Sequence, residues 1–511
     1  MGGSQSSINP PPPYHTLARQ HRRASRSPSR AIDEKLQSFH ISPPAYYNGD
    51  DDIINANSVL SGASKSTISA PATSSYVTEL LTSSKNRLAL SALSTANPAL
   101  VLEEPSAIIS DTQTFNVKIP HEGSPVTNQR SSGRCWIFAA CNVFRIQLAQ
   151  KYNLDKLELS QSYLFFWDKV EKANWFLESI VETAEEEDLD GRLVQALLAS
   201  PVGDGGQWDM IINLVEKYGV IPQTLYPDSW NAQNSSTMDR LLTSFLREAG
   251  LKLRSLKTSA TVSTDDILEE KEKMLQAVIR IATLCLGPPP AADKPFTWEF
   301  YDKTGNFHLV ATTPLDFAEP LAVKNTVSLV NDPRNNYLSL LTVSYLGNVW
   351  GGRPITYVNV SMDVMKAACI KTLQAGLPIF FGSDVGKMSD SSKGILDPKL
   401  TNYPLGFSIP APAITKAQRL QTGESQMTHA MVLTAVHLCP KTGKPLRWRI
   451  ENSWSDAAGS QGYFVMTDAW MDEFVYQAVV KEEFISKAVK EVAKKGEKKV
   501  LPLWDPMGAL A

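Results

Sequence analysis

The stretch Asn128-Gln129-Arg130-Ser131-Ser132-Gly133-Arg134-Cys135-Trp136-Ile137-Phe138 places a cysteine at the start of a long apolar run, six residues after a glutamine. That order suits a nucleophile. The positive end of a helix favours a thiolate, and an amide side chain just upstream can help hold the oxyanion formed on a substrate carbonyl. The other parts of such a centre stand far downstream, in Met427-Thr428-His429-Ala430 and in Glu451-Asn452-Ser453-Trp454. A fold that uses all of them brings a helix start against a strand 294 residues further along the chain, from Cys135 to His429. The expectation is a Cys-His-Asn centre, with Cys135 the most readily alkylated of the five cysteines.

Local patterning agrees with that demand. Cys135 to about Tyr152 is apolar on most faces, as a buried central helix requires. Gln207–Tyr218, stopped by Gly219, reads as a second helix, and Thr264 to about Cys285 as a long amphipathic one ended by Gly287-Pro288-Pro289-Pro290. Residues 427–434 alternate in the manner of a strand, and Leu446–Asn452 and Gln461–Thr467 read as further strands. Of seven histidines, His15, His21 and His40 fall in a polar tail, His121 precedes the Gln129 loop, His308 lies mid-chain and His437 sits near a strand end. His429 is left as the base, 23 residues before Asn452.

Ser132 through Trp136 depart from the papain signature C-G-[SA]-C-[WY] in two places: Ser132 replaces its first cysteine and Arg134 its small residue. From nucleophile to base, the papain spacing is about 130–150 residues. A large insertion therefore separates two lobes here, expected at about 229–359. Longer strings resemble one narrower family, that of bleomycin hydrolase. They are Thr127 to Phe138, Ser160 to Lys169, Asp204-Gly205-Gly206-Gln207-Trp208-Asp209-Met210, Met427 to Met431, and the tail Trp504 to Ala511.

This resemblance implies an α+β, papain-like two-lobe cysteine peptidase fold over residues 76–511, with an insertion and a C-terminal arm at 500–511. It implies an intracellular, cytoplasmic aminopeptidase acting on peptides or small amides, assembled as a homo-oligomer, a hexamer. Cys135 would attack as thiolate, His429 would act as base and acid, Asn452 would orient the imidazole, and Trp454 would shield that bond. Gln129 and the Cys135 backbone N–H would form the oxyanion hole. Gly205 and Gly206 resemble the glycine pair along a papain cleft. The arm's Leu, Trp and Met residues suit docking on the body rather than exposure to water. In the family that arm fills the cleft upstream of the cleaved bond, with the Ala511 carboxylate facing the substrate's α-ammonium.

Composition narrows the alternatives. With 511 residues, 43% of them hydrophobic, the chain can bury a two-lobe core. A net charge of −3 argues against a dedicated nucleic-acid binder. Cysteines 135, 141, 285, 369 and 439 form no C-x-x-C pair, so no disulfide framework, structural metal or cofactor is expected. Neither a signal peptide nor a membrane-length apolar run is expected.

Residues 1–75 are rich in Ser, Pro, Ala and Asn and read as disordered, apart from a short helix near Ala31–Ser38. Met1-Gly2-Gly3-Ser4-Gln5-Ser6 fits the N-myristoylation pattern, and Arg19, Arg22, Arg23, Arg26 and Arg30 would add to membrane contact. The same cluster also reads as a solvated linker. Two other functions stay open: a papain-like endopeptidase, and a catalytically minor assembly or nucleic-acid-binding protein using Lys487–Lys499.

Overall fold

The computed structural model describes residues 68–321, 323 and 325–510. Gly2, the arginine cluster, the Ala31–Ser38 segment and Ala511 lie outside them. The chain divides into two units, Met1–Asn86 and Arg87–Ala511. In the first, helix Ala70–Leu80 starts where Ser69 Oγ accepts the Ala72 N–H at 3.3 Å. Regular structure thus begins ahead of the boundary expected at residue 76, because a serine cap followed by Pro71 is a sufficient start signal.

The second unit opens its helical lobe with Cys135–Lys151, then Gln161–Glu182 and Trp208–Tyr218. Gly219 closes the last of these at φ 71°, where its missing Cβ also makes room for the Pro314 carbonyl. Helices Ser236–Lys257 and Thr264–Leu286 pack on Gln161–Glu182. Thr264–Leu286 is started by a reciprocal cap between Ser263 and Asp266.

The strands, in chain order, begin with β1 (Val117–Lys118), the hairpin β2 (Phe296–Tyr301) and β3 (Phe307–Thr312), then β4 (Thr326–Val330), β5 (Ser339–Val343), β6 (Tyr357–Asn359) and β7 (Ile379–Ser383). There follow β8 (Ser389–Asp390), β9 (Ile395–Leu396), β10 (His429–Leu438), β11 (Pro445–Glu451), β12 (Tyr463–Thr467), β13 (Val475–Lys481) and β14 (Lys498–Leu501). All but the hairpin form one twelve-stranded sheet, ordered β14-β5-β6-β4-β13-β7-β10-β11-β12-β9-β8, with β1 on β10.

This sheet cuts across the span expected for the insertion. That span, 229–359, includes β4, β5 and β6, which are members of the main sheet through β13 and β14. Helices Ser236–Lys257 and Thr264–Leu286 and the hairpin β2–β3 all precede β4. Strand alternation alone misses the sheet membership, because β4 and β6 are buried on nearly every residue and read as plain apolar runs.

Two large apolar cores follow among the described residues, beside a small cluster of Ile395, Leu400 and Val465. One gathers the helices around Trp136, Phe165 and Ile211, and the other gathers the sheet around Trp448, Phe464 and Trp470. Trp208 joins the lobes, 5.5 Å from the Phe144 ring and 5.2 Å from that of Phe380 on β7.

Candidate active site

Cys135 is the first residue of its helix and is 2% exposed. Its thiol lies against backbone amides of Ala430 and Trp136, so the residue after His429 and the nucleophile share one site. Burial pushes the thiol up to about 11, against the pull of those amides. Loss of water thus acts against the depression expected from the positive helix end. The neighbouring Arg134 explains its departure from the papain motif. Its guanidinium is fully buried and grips Asp228 at 3.0 and 2.8 Å, between the rings of Phe138 and Phe165.

His429 opens β10, whose pairing with β7 and β11 fixes its direction. Its Nε2 is 2.8 Å from Asn452 Oδ1. That same oxygen accepts the Ser453 N–H at 2.8 Å. A backbone N–H can only donate, so the amide oxygen must face this corner, and Nε2 must carry the proton. Nδ1 is then the free, basic nitrogen. Burial lowers His429 to about 4, while the Asn452 bond acts in the opposite sense. Trp454 stacks on the imidazole at 4.7 Å and 29° and lies edge-on to Phe464.

Gln129 is 7% exposed. Its N–H donates to Ser453 O at 2.9 Å, its Oε1 accepts the Ser453 hydroxyl at 2.7 Å, and its Nε2 donates to Ser132 O at 2.7 Å. Beside it, Asn128 and Trp454 form a bridge. Thus the Gln129 loop and the Asn452 loop are one hydrogen-bonded unit, and Nε2 retains a second hydrogen for an oxyanion.

The two glycines part company. A Cβ on Gly206 would lie 2.4 Å from the Trp136 indole, so the packing of that tryptophan by itself requires glycine at this buried position. Gly205 stays partly exposed, and its carbonyl accepts Lys172 Nζ at 2.7 Å. The C-terminal arm lies on the same strip. Met507 is buried and lines a small cavity together with Met427 and Tyr476, and Gln207 Nε2 donates to Ala509 O at 2.7 Å. Among the described residues, no cluster of three or more His, Cys, Asp or Glu is placed to hold a metal ion.

Residues 67–508 match the model of the Peptidase C1-like family. The chain is 44% identical to the bleomycin hydrolase of Gallus gallus, over 79% of this chain and 90% of that protein. It is 43% identical to the bleomycin hydrolase of Homo sapiens, over 78% and 88%. The same identity relates it to cysteine proteinase 1, mitochondrial, of Saccharomyces cerevisiae, over 78% and 84%. The chain belongs to the bleomycin hydrolase family. It is a cysteine peptidase with the papain-like fold. Its structure superimposes on the crystal structure of PepW from Lactobacillus rhamnosus with a TM-score of 0.83 at 38% identity, covering 87% of this chain and all of that one.

Several residues that shape this family member's site escape sequence reasoning. Asp204 accepts the Gly133 N–H at 2.8 Å and, through its backbone carbonyl, the Trp136 indole N–H at 2.6 Å. Lys169 reaches Asp204 at 2.6 Å and Asp239 at 2.7 Å, tying the nucleophile loop to helix Ser236–Lys257. Glu451, just before Asn452, forms a buried ion pair with Arg145 of the Cys135 helix. Lys169 and Asp204 lie inside the motif strings, but a string shows no pairing. Charged residues directly after the apolar run Tyr163–Trp167, Asp168 and Lys169 among them, were the available signal, since a buried charge requires a partner.

Proposed function

We propose that the chain removes residues from the free N-termini of peptides and hydrolyses amide analogues such as bleomycin, through an acyl-enzyme. As Cys135 Sγ bonds to the scissile carbonyl carbon, its proton passes to His429 Nδ1, and the oxyanion takes N–H bonds from Gln129 Nε2 and the Cys135 backbone. His429 then returns the proton to the leaving amine as the C–N bond breaks. Water then attacks the thioester carbon as its proton passes to Nδ1; the C–S bond breaks, the carboxylic acid leaves, and the proton returns from Nδ1 to the sulfur. Asn452 keeps Nδ1 aimed at the sulfur, and Trp454 excludes water from the His429–Asn452 bond.

The burial-driven shifts of Cys135 and His429 fit a resting thiol–imidazole pair.

The observation that carries exopeptidase over endopeptidase action is the docked arm. It runs from Met507, against Met427 two residues before His429, to Ala509 on Gln207, the neighbour of Gly206. A substrate extended past its first residue would meet this segment. The deciding experiment compares wild type and Cys135→Ser on a free-amine aminoacyl amide and on its N-acetyl derivative. Thiol-dependent cleavage of the free amine alone supports an aminopeptidase, and equal cleavage of both returns the site to an endopeptidase.

We also propose self-association as a hexamer, in the cytoplasm. Tyr301, Phe307 and Leu309 of the hairpin are each more than half exposed, and Leu284 is 81% exposed, an apolar surface suited to burial between copies. No helix among the described residues is long and apolar enough to cross a membrane. In the lysine-rich segment, Lys494 pairs with Glu482, and Lys498–Leu501 is β14 of the sheet. These contacts favour a solvated helix end over a nucleic-acid surface.

A further inference from the structure

We propose that Arg334 is a specificity-determining latch that holds the C-terminal arm in the cleft by its ion pair with Asp505. The inference rests on the arm being what excludes extended or blocked N-termini.

The latch is built into the sheet before the arm reaches it. Asp332, fully buried just beyond β4, is fixed by its N–H to Asn359 Oδ1 at 2.9 Å and by its carbonyl to Asn359 Nδ2 at 3.0 Å. Its two carboxylate oxygens take Arg334 Nε at 2.9 Å and Nη2 at 2.8 Å, so the guanidinium plane is set by the scaffold. The same Nη2 donates to Asp505 Oδ1 at 2.7 Å. Arg334 and Asp505 have side chains only 14% and 15% exposed, so water screens this contact poorly.

Asp505 converts the ion pair into arm geometry. Its Oδ1 also accepts the Met507 N–H at 2.8 Å, capping the short turn Pro506–Gly508. One oxygen therefore serves both the latch and the turn that buries Met507 at the cavity wall. Past the turn the arm has the Gln207–Ala509 bond and partly buried Leu510 to hold it. Before the turn, Trp504 is 41% exposed, with the Arg192 guanidinium 4.4 Å from its ring. Asp505 is the single charged residue between Pro502 and Leu510. Arg334 thus grips the one ionic handle that this segment offers.

The test uses the full-length chain with an aminoacyl aminomethylcoumarin and its N-acetyl derivative, and reads the ratio of their kcat/KM values. Arg334→Met should raise cleavage of the acetylated substrate relative to the free amine by about tenfold, the scale of a lost charge-assisted hydrogen bond. Asp505→Asn should move the ratio in the same direction. It keeps an oxygen for the Met507 N–H and leaves Asp332 paired, so it carries the test if Arg334→Met fails to fold. Arg334→Lys should restore the ratio in part, since an ammonium cannot hold both carboxylates with one planar fork.

Deletion of Gly508–Ala511 separates this inference from the reading beneath it. If the deletion shifts the ratio while folded Arg334→Met and Asp505→Asn keep the wild-type value, the latch is wrong and the role of the arm stands. If the deletion also leaves the ratio unchanged, the role of the arm fails and the latch falls with it.

Discussion

Asn452 Oδ1 sits 2.8 Å from His429 Nε2 and takes the Ser453 N–H at the same distance, so a single backbone amide decides which imidazole nitrogen is basic. Cys135→Ser and His429→Ala remove atoms that bond to substrate or carry its proton, and each should lower kcat/KM by about 10⁴-fold or more. Asn452→Ala removes orientation only. Its loss should stay near a hundredfold, the low end of what a positioned base contributes. Steady-state kinetics on a free-amine amide checks the ranking, and a larger loss for Asn452→Ala than for His429→Ala would contradict it.

The pH behaviour of His429 follows from its burial. Its folded pKa, about 4, is below the 6.5 of an exposed histidine. Between those values the unfolded chain binds a proton that the folded site refuses, so stability present above pH 6.5 is lost as pH falls through 4. Burial raises Glu451 and Asp239, each to about 7, which bends the whole-protein profile the other way. The clean measurement is therefore a difference: wild type should lose about 3 kcal/mol relative to His429→Ala across this window. Urea unfolding at several pH values reads it, and a flat difference would show the imidazole to be hydrated.

Much of this site is legible in the chain, and the reasons are local. Cys135, Gln129, His429, Asn452 and Trp454 lie in short strings whose order reflects the chemistry, and the helix start and strand that carry them have clear periodicity. Arg134, Lys169 and Asp204 are different. Their partners lie 94, 35 and 71 residues away, in Asp228, Asp204 and Gly133, and no local pattern couples them. The place of β4 and β6 in the main sheet was hidden for another reason. Strands β4 and β6 lack the alternation that marks a half-exposed strand, and their sheet membership depends on β13, far along the chain.

Arg145 and Glu451 tie the Cys135 helix to the strand that ends at Asn452, and both side chains are almost wholly buried. Arg145→Met strands a carboxylate in an apolar interior and should cost about 3–5 kcal/mol. Glu451→Gln keeps an oxygen for the Arg145 N–H bond and should cost less, about 1–3 kcal/mol. Denaturant titration of the two variants tests the asymmetry, and equal costs would mean that the pair is hydrated.

Self-association is a mass measurement. Light scattering at micromolar concentration should give several times the 56.3 kDa of one chain. Leu309→Glu on the hairpin should reduce that mass, because a carboxylate cannot enter an apolar contact without losing its water. A wild-type monomer would overturn the assembly, and an unchanged mass for Leu309→Glu would move the contact elsewhere.

The five cysteines should not react alike, nor in the order that the nucleophile motif suggests. Cys141 and Cys369 are buried, and burial raises both thiols, Cys369 to about 12. Cys135 is raised to about 11 and is nearly closed to solvent. Cys439 stands in the turn after β10, where bonds from the Thr442 hydroxyl, then the Thr442 and Lys441 backbone, lower its pKa. The thiolate is the alkylated form, so iodoacetamide at neutral pH without substrate should label Cys439 ahead of Cys135, Cys141 and Cys369. Because Cys439 is not part of the centre, that first label should leave activity in place, and inactivation should follow the slower label on Cys135. Peptide mass mapping against residual activity separates the two events. If Cys439→Ser removes the fast label and the rate of inactivation is unchanged, the thiol order is as described; if inactivation keeps pace with the first label in wild type, Cys135 is the more reactive thiol after all.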